Sequence, residues 1–220
     1  MRDCFRGFAF RPGLALAVAL ALGAPGAGSA QPAAPNLGQE LIVNGDAEAD
    51  VGAPSNNQIV KPTGWRTTGE FTVVQYGASG GFPDAKSPGP PNKGRNFFSG
   101  GNVALSTATQ TIHLLPYTAA IAAGGVKYRF SGWLGGFENQ ADFATANVTF
   151  RDATGAPLPG AATLGPVTPA ERKTQTGSLY REATGVVPAR ARSAEVSIVI
   201  TRREGTYNDG EVDNLSLKLK

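Results

Sequence analysis

Ser193-Ala194-Glu195-Val196-Ser197-Ile198-Val199-Ile200-Thr201 sets Val196, Ile198 and Ile200 on one side and Glu195, Ser197 and Thr201 on the other. Successive side chains of a β-strand point to opposite faces, so this is the pattern of a half-buried strand. One packed face and one wet face is the habit of antiparallel sheets. Phe143–Arg151 repeats it, with Ala144, Ala146, Val148 and Phe150 opposing Thr145, Asn147, Thr149 and Arg151. Similar runs bounded by Gly, Pro, Asn and Asp clusters lie at Leu41–Val43, Phe71–Tyr76, Asn102–Ser106 and Thr109–Leu114. Others are Val126–Leu134, Ala161–Leu164, Leu179–Val187 and Val212–Leu219. No stretch has a convincing helical period, and Tyr117–Ala123 offers at most a turn or two. About nine antiparallel strands without helices predict an all-β sandwich or jelly roll.

The N-terminus has a different character. Arg2, Arg6 and Arg11 precede an unbroken apolar run, Leu14–Leu22, which Ala24-Pro25-Gly26 ends before the small residues Gly28-Ser29-Ala30. This is the layout of a secretory signal peptide over residues 1–30. The run is much shorter than the roughly 20 residues that a membrane-spanning helix needs. Gln31–Pro35 reads as a linker, leaving residues 36–220 as one sandwich domain in a secreted protein, extracellular or periplasmic, without a membrane span.

Composition narrows the chemistry. Removing residues 1–30 leaves 17 Lys and Arg against 16 Asp and Glu, with no clustered basic patch, which argues against a nucleic-acid partner. The single cysteine, Cys4, lies in the signal segment, so disulfides, cysteine-ligated zinc and thiol catalysis are excluded from the mature part. Gly77-Ala78-Ser79-Gly80-Gly81 matches a nucleophile-elbow pattern, but Pro83 stands where a helix should follow, and His113 is the only histidine. A Ser79–His113–Asp84 triad is weaker than chance matching in the glycine-rich loop Gly77–Arg95, and glycosidase-like carboxylate pairs remain a minor reading.

The last strand carries an acidic residue of interest. Period two places Asp213 on the face of Leu215, Leu217 and Leu219, bordering the core. A buried carboxylate needs an arginine, backbone N–H donors or a metal ion. At the other end, Leu41-Ile42-Val43-Asn44-Gly45-Asp46-Ala47-Glu48 runs from a strand into an acidic turn. If the two ends meet, Glu48 and Asp213 share a hard cation; otherwise Asp213 accepts N–H bonds and Glu48 is solvated.

These terminal segments, with Gly64-Trp65 and Gly210-Glu211-Val212-Asp213-Asn214-Leu215-Ser216-Leu217, resemble the galactose-binding-domain-like jelly roll shared by many extracellular carbohydrate-binding modules. The resemblance covers about Asn36 to Lys220 and implies a structural Ca²⁺ held by Glu48, Asp213 and the Asp46 carbonyl. Ala47 stands where the commoner form has an aromatic residue, a departure that bears on the packing of the turn.

Sugar binders stack rings on exposed aromatics and hydrogen-bond hydroxyls with polar side chains. Two segments have that composition: Phe137, Glu138, Asn139, Gln140 and Asp142 after Trp133, and Arg202 to Asp209 with Tyr207. They are expected at one end of the molecule, with Trp65 and Trp133 in the core and one of Phe97 and Phe98 inside. The resulting expectation is a secreted, non-catalytic carbohydrate-binding-like protein with a structural Ca²⁺ and an extracellular glycan or other polymer as partner. The alternatives are an adhesive or structural protein of the same fold without a sugar site, and a small secreted hydrolase.

Overall fold

A computed structural model describes residues 36–220. The expected signal peptide and linker lie outside the described residues. Eleven strands follow in order: β1 (Ala53–Ser55), β2 (Arg66–Thr68), β3 (Thr72–Ser79), β4 (Asn96–Ser99), β5 (Leu105–His113), β6 (Lys127–Gly136), β7 (Phe143–Arg151), β8 (Ala162–Leu164), β9 (Gly177–Val186), β10 (Ser193–Thr201) and β11 (Glu211–Leu219). A six-stranded sheet runs β1-β3-β4-β11-β6-β9 and a five-stranded sheet β2-β5-β10-β7-β8. All ladders are antiparallel except β1 with β3. Leu115–Tyr117 forms a 3₁₀ turn and Thr118–Ala123 a short helix, α1. The two sheets form a β-sandwich, as the alternating strands predict.

The alternation in β10 does what its sequence predicts. Ala194, Val196, Ile198 and Ile200 are buried between the sheets. Their size is matched by neighbours: Ile198 lies opposite Ala108 of β5 and Ala146 of β7, and Ala194 opposite Phe150. Large beside small lets the inner layer interdigitate without voids. Tyr128, Phe130 and Leu134 of β6 and Leu215, Leu217 and Leu219 of β11 close the core from the other sheet. Each such buried side chain contributes about 1.5–3 kcal/mol.

Four expectations change. Asn102–Ser106 and Thr109–Leu114 are not two strands; the single strand β5 runs through Thr107 and Ala108. Leu41–Val43 is not a strand. Its backbone pairing with β11 stops at the isolated Glu40–Lys218 bridge, and the Glu40 carboxylate accepts N–H bonds from Leu41 and Ile42 at 3.1 Å and from Leu217 at 2.8 Å. Phe97 and Phe98 are both buried, at 1% and 0% exposure. Phe98 joins the central core, while Phe97 faces outward and is covered by the long loop, packing with Val74, Phe82 and Tyr207. Trp65 is in the core as expected, but Trp133 is not: Tyr128, Phe130 and Leu134 point inward, and Trp133 takes the outward position.

The register of β11 explains the remaining correction. Val212 pairs with Leu134 and Leu217 with Phe130, so β11 carries one more residue than β6 over the same span. The extra residue is a β-bulge at Asn214, whose φ is 50°. A one-residue slip exchanges the faces of a strand. Leu215, Leu217 and Leu219 therefore face inward, while Asp213 pairs with Trp133 on the outer face, away from the leucines.

Candidate functional site

The two ends of the described chain lie together. Gly38 N–H donates to the Leu219 carbonyl at 2.7 Å, Leu41 N–H to Leu217 at 3.0 Å, and Leu215 N–H to Gly45 at 2.8 Å. Gly45 is required here because a Cβ would lie 2.0 Å from the Leu215 oxygen. Asn44 shapes the turn, accepting from Ala49 N–H and donating to Asp50 and the Thr63 carbonyl. Ala47, with φ 60°, is wholly buried in the core where the commoner pattern has a ring.

The acidic groups gather around Tyr76. Asp213, 2% exposed, accepts from the Tyr76 O–H at 2.7 Å and from Asn214 N–H at 2.6 Å. Glu48 accepts from the N–H groups of Arg95 at 2.7 Å and Asn96 at 2.8 Å, with the Arg95 guanidinium at 3.3 Å. Burial pushes Asp213 up to about 8, against the pull of its two hydrogen bonds and with added repulsion from Asp46 and Glu48. Burial and the adjacent Asp213 also raise the Tyr76 phenol. Asp46 is exposed and accepts from Glu48 N–H at 3.3 Å.

The oxygen-only donor set fits a hard cation, and a carboxylate with one donor on each oxygen keeps lone pairs to spare. Among the described residues no group of three or more His, Cys, Asp or Glu converges. A cation between Asp213 and Glu48 therefore needs backbone carbonyls or water to complete its shell.

The two polar loops do meet. Asp142, 1% exposed, accepts from the N–H groups of Arg203 at 2.5 Å, Glu204 at 2.9 Å and Asp209 at 3.0 Å. It staples residues 202–209 to β7 rather than facing a ligand. Tyr207 is also buried, its ring 5.3 Å from Phe82, and offers no free face. Arg202 bonds the Thr206 carbonyl within its own turn. Phe137 is half-buried against Gly81, Glu138 and Asn139 are exposed, and Gln140 is half-exposed. Arg203 lies over the Phe143 ring, 5.5 Å from its centroid.

A residue the sequence reading passed over holds this end in shape. Arg172, 4% exposed, donates to the carbonyls of Gly136 and Glu138 at 2.9 Å, Gln175 at 2.5 Å and Gln140 at 3.3 Å. Its position in a polar run, Glu171-Arg172-Lys173, gave no signal of burial. Below it, burial pushes Asp209 up to about 7, helped by Asp142 and opposed by Arg172. Glu211 is pushed up to about 8, also mainly by burial.

Ser79, His113 and Asp84 are not brought together. Ser79 hydroxyl lies 3.5 Å from the Pro54 carbonyl, Asp84 accepts from Lys86 and Ser87, and exposed His113 belongs to the other sheet.

No family model matches the chain, and no curated protein matches its sequence. Solved structures share its architecture. The enzymatically active domain of tailspike protein 4 from bacteriophage CBA120 has a TM-score of 0.52 at 14% identity over 82% of this chain, which spans 21% of the tailspike chain. TmCBM61, solved with β-1,4-galactotriose, has a TM-score of 0.46 at 14% identity, covering 81% of this chain and 97% of its own. A family 16 carbohydrate-binding module has a TM-score of 0.47 at 18% identity, covering 80% and 98%. At 14% identity the likeness to the tailspike domain concerns the fold alone.

Proposed function

We propose that the protein is an exported, non-catalytic glycan-binding module with a structural Ca²⁺ between its two ends. The observation that carries the glycan reading is the convergence of the 137–142 and 202–209 loops, tied through Asp142. The joined loops carry the exposed Glu138, Asn139 and Arg203, the half-exposed Phe137 and the half-buried Arg202. Hydroxyl-binding side chains next to an apolar ring suit a sugar.

Calcium is supported by the nearness of Asp213 and Glu48, which share the surroundings of Tyr76. Glu48 and Asp213 supply side-chain oxygens and Asp46 its carbonyl. The basic and apolar N-terminal run supports export, and among the described residues no helix is long and apolar enough to cross a membrane. The non-catalytic reading is supported by the commitment of Asp142 to three N–H groups and by the burial of Glu211, which leave neither facing substrate.

A glycan array probed with the labelled protein tests the reading. Binding to a defined set of glycans, weakened in Asn139→Ala and Arg202→Ala variants, is the expected result. A folded protein that binds none of them refutes it.

A further inference from the structure

Trp133 of β6 and Tyr180 of β9 are direct partners across the ladder, on the outer face of the six-stranded sheet. Their rings stand 5.7 Å apart between centroids and 58° out of plane, forming a notch. Tyr180 is 40% exposed and Trp133 is half-buried. Neither belongs to the core cluster, which Tyr128, Phe130 and Leu134 already fill from the same strand. A cross-strand aromatic pair does stabilise a sheet edge. That role does not require the polar frame built around this one.

Arg129 Nε donates to Glu182 Oε2 at 2.7 Å, Arg129 Nη2 to the Tyr180 hydroxyl at 2.9 Å, and that hydroxyl to Glu182 Oε2 at 2.5 Å. The three groups form a closed triangle beside the open ring. Within the triangle one cation balances one carboxylate, and the flanking β11 partners are of opposite type, Lys218 opposite Arg129 and Asp213 opposite Trp133. The triangle offers donors and acceptors side by side, which is what sugar hydroxyls need, since each donates and accepts. Hydrogen bonds with Glu182 and Tyr180 raise the Arg129 pKa, and bonds from Tyr180 and Arg129 lower that of Glu182, so the frame keeps its charges near neutral pH. The five-stranded sheet differs: the middle of its outward face carries Thr107, Thr109, Thr111, Thr145, Asn147, Thr149, Glu195, Ser197 and Val199, and its rings, Phe143 and His113, stand singly at opposite ends.

We infer that the Trp133–Tyr180 notch is a stacking site for an uncharged pyranose ring, with Arg129 and Glu182 engaging its hydroxyls. It lies on the flat of the sheet, four residues along β6 from Phe137, about 13 Å at the rise of an extended strand. It is thus separate from the loop cluster, and it rests on the glycan-binding reading above.

Titration with neutral oligosaccharides that bind the wild-type protein tests it, followed by calorimetry and by tryptophan emission. The chain has 2 Trp, and Trp65 is buried, so a ligand-induced change in emission reports Trp133. Trp133→Ala and Tyr180→Ala should each weaken binding on the order of tenfold. The more conservative Trp133→Phe should fold, abolish the emission change and weaken binding less. Unchanged affinity in Trp133→Phe and Tyr180→Ala, with no emission change in wild type and binding lost only in Asn139→Ala, overturns the notch and leaves the glycan reading standing. A wild-type protein that binds no glycan overturns both.

Discussion

The N–H of Leu215 reaches the carbonyl of Gly45 at 2.8 Å, joining the strand that ends the chain to the turn that opens the domain. The bond exists because the bulge at Asn214 turns the Leu215 amide out of the β11 ladder. It also needs a residue without a side chain at position 45, and this makes the junction testable.

Gly45→Ala places a methyl 2.0 Å from the Leu215 oxygen, in contact with backbone that has nowhere to retreat. Loss of about 2–3 kcal/mol is expected, the scale of overpacking in a filled site. Urea denaturation checks it, and wild-type stability in this variant contradicts the junction.

Asp142→Asn exchanges one carboxylate oxygen for an N–H₂ group facing backbone donors. Leaving buried donors unpaired costs about 1–3 kcal/mol each. Hydrogen exchange should quicken at Arg203, Glu204 and Asp209 while amides in β10 stay protected. Unchanged exchange at those three amides contradicts the stapling role.

Asp209 gives a pH dependence of definite sign. Its folded pKa, about 7, lies above the ordinary 3.8, so the folded state holds a proton that the unfolded chain releases. The stability this provides is complete below pH about 4 and is lost as pH rises through 7. Asp209→Asn should flatten the profile and be the more stable form at pH 8, on the order of 2 kcal/mol once residual solvent access is allowed for. Chemical denaturation at pH 4 and pH 8 measures it; equal pH slopes in both proteins contradict it.

The strands with clean alternation were legible from residues alone. Phe143–Arg151 and Ser193–Thr201 have the bounds that their pattern predicts, because one face is core and the other water. Where a strand is covered on both sides, alternation carries no such information. Phe97 and Phe98 are both buried because a loop of glycine, proline and serine lies over the outer face, and nothing local in the sequence says so. Asp213 fails for another reason: counting by two assumes an unbroken ladder, and the Asn214 bulge breaks it. Trp133 was expected inside because its strand must bury its aromatics, although its parity against Phe130 and Leu134 already placed it outward. Of the candidate site, the meeting of the two polar loops was foreseen, but the roles within them were not. Asp142 and Tyr207 serve the architecture, and Arg172 does so from a segment without apparent pattern.

Thermal unfolding with Ca²⁺ and with chelator, on wild type and Asp213→Asn, tests most directly whether an ion closes the two ends. Calcium a hundredfold above its Kd stabilises by about 2.7 kcal/mol, which raises the Tm of a domain this size by roughly 5–10 °C. The account predicts that rise in wild type, its reversal by chelator, and its absence in Asp213→Asn. A wild-type Tm indifferent to both calcium and chelator contradicts it.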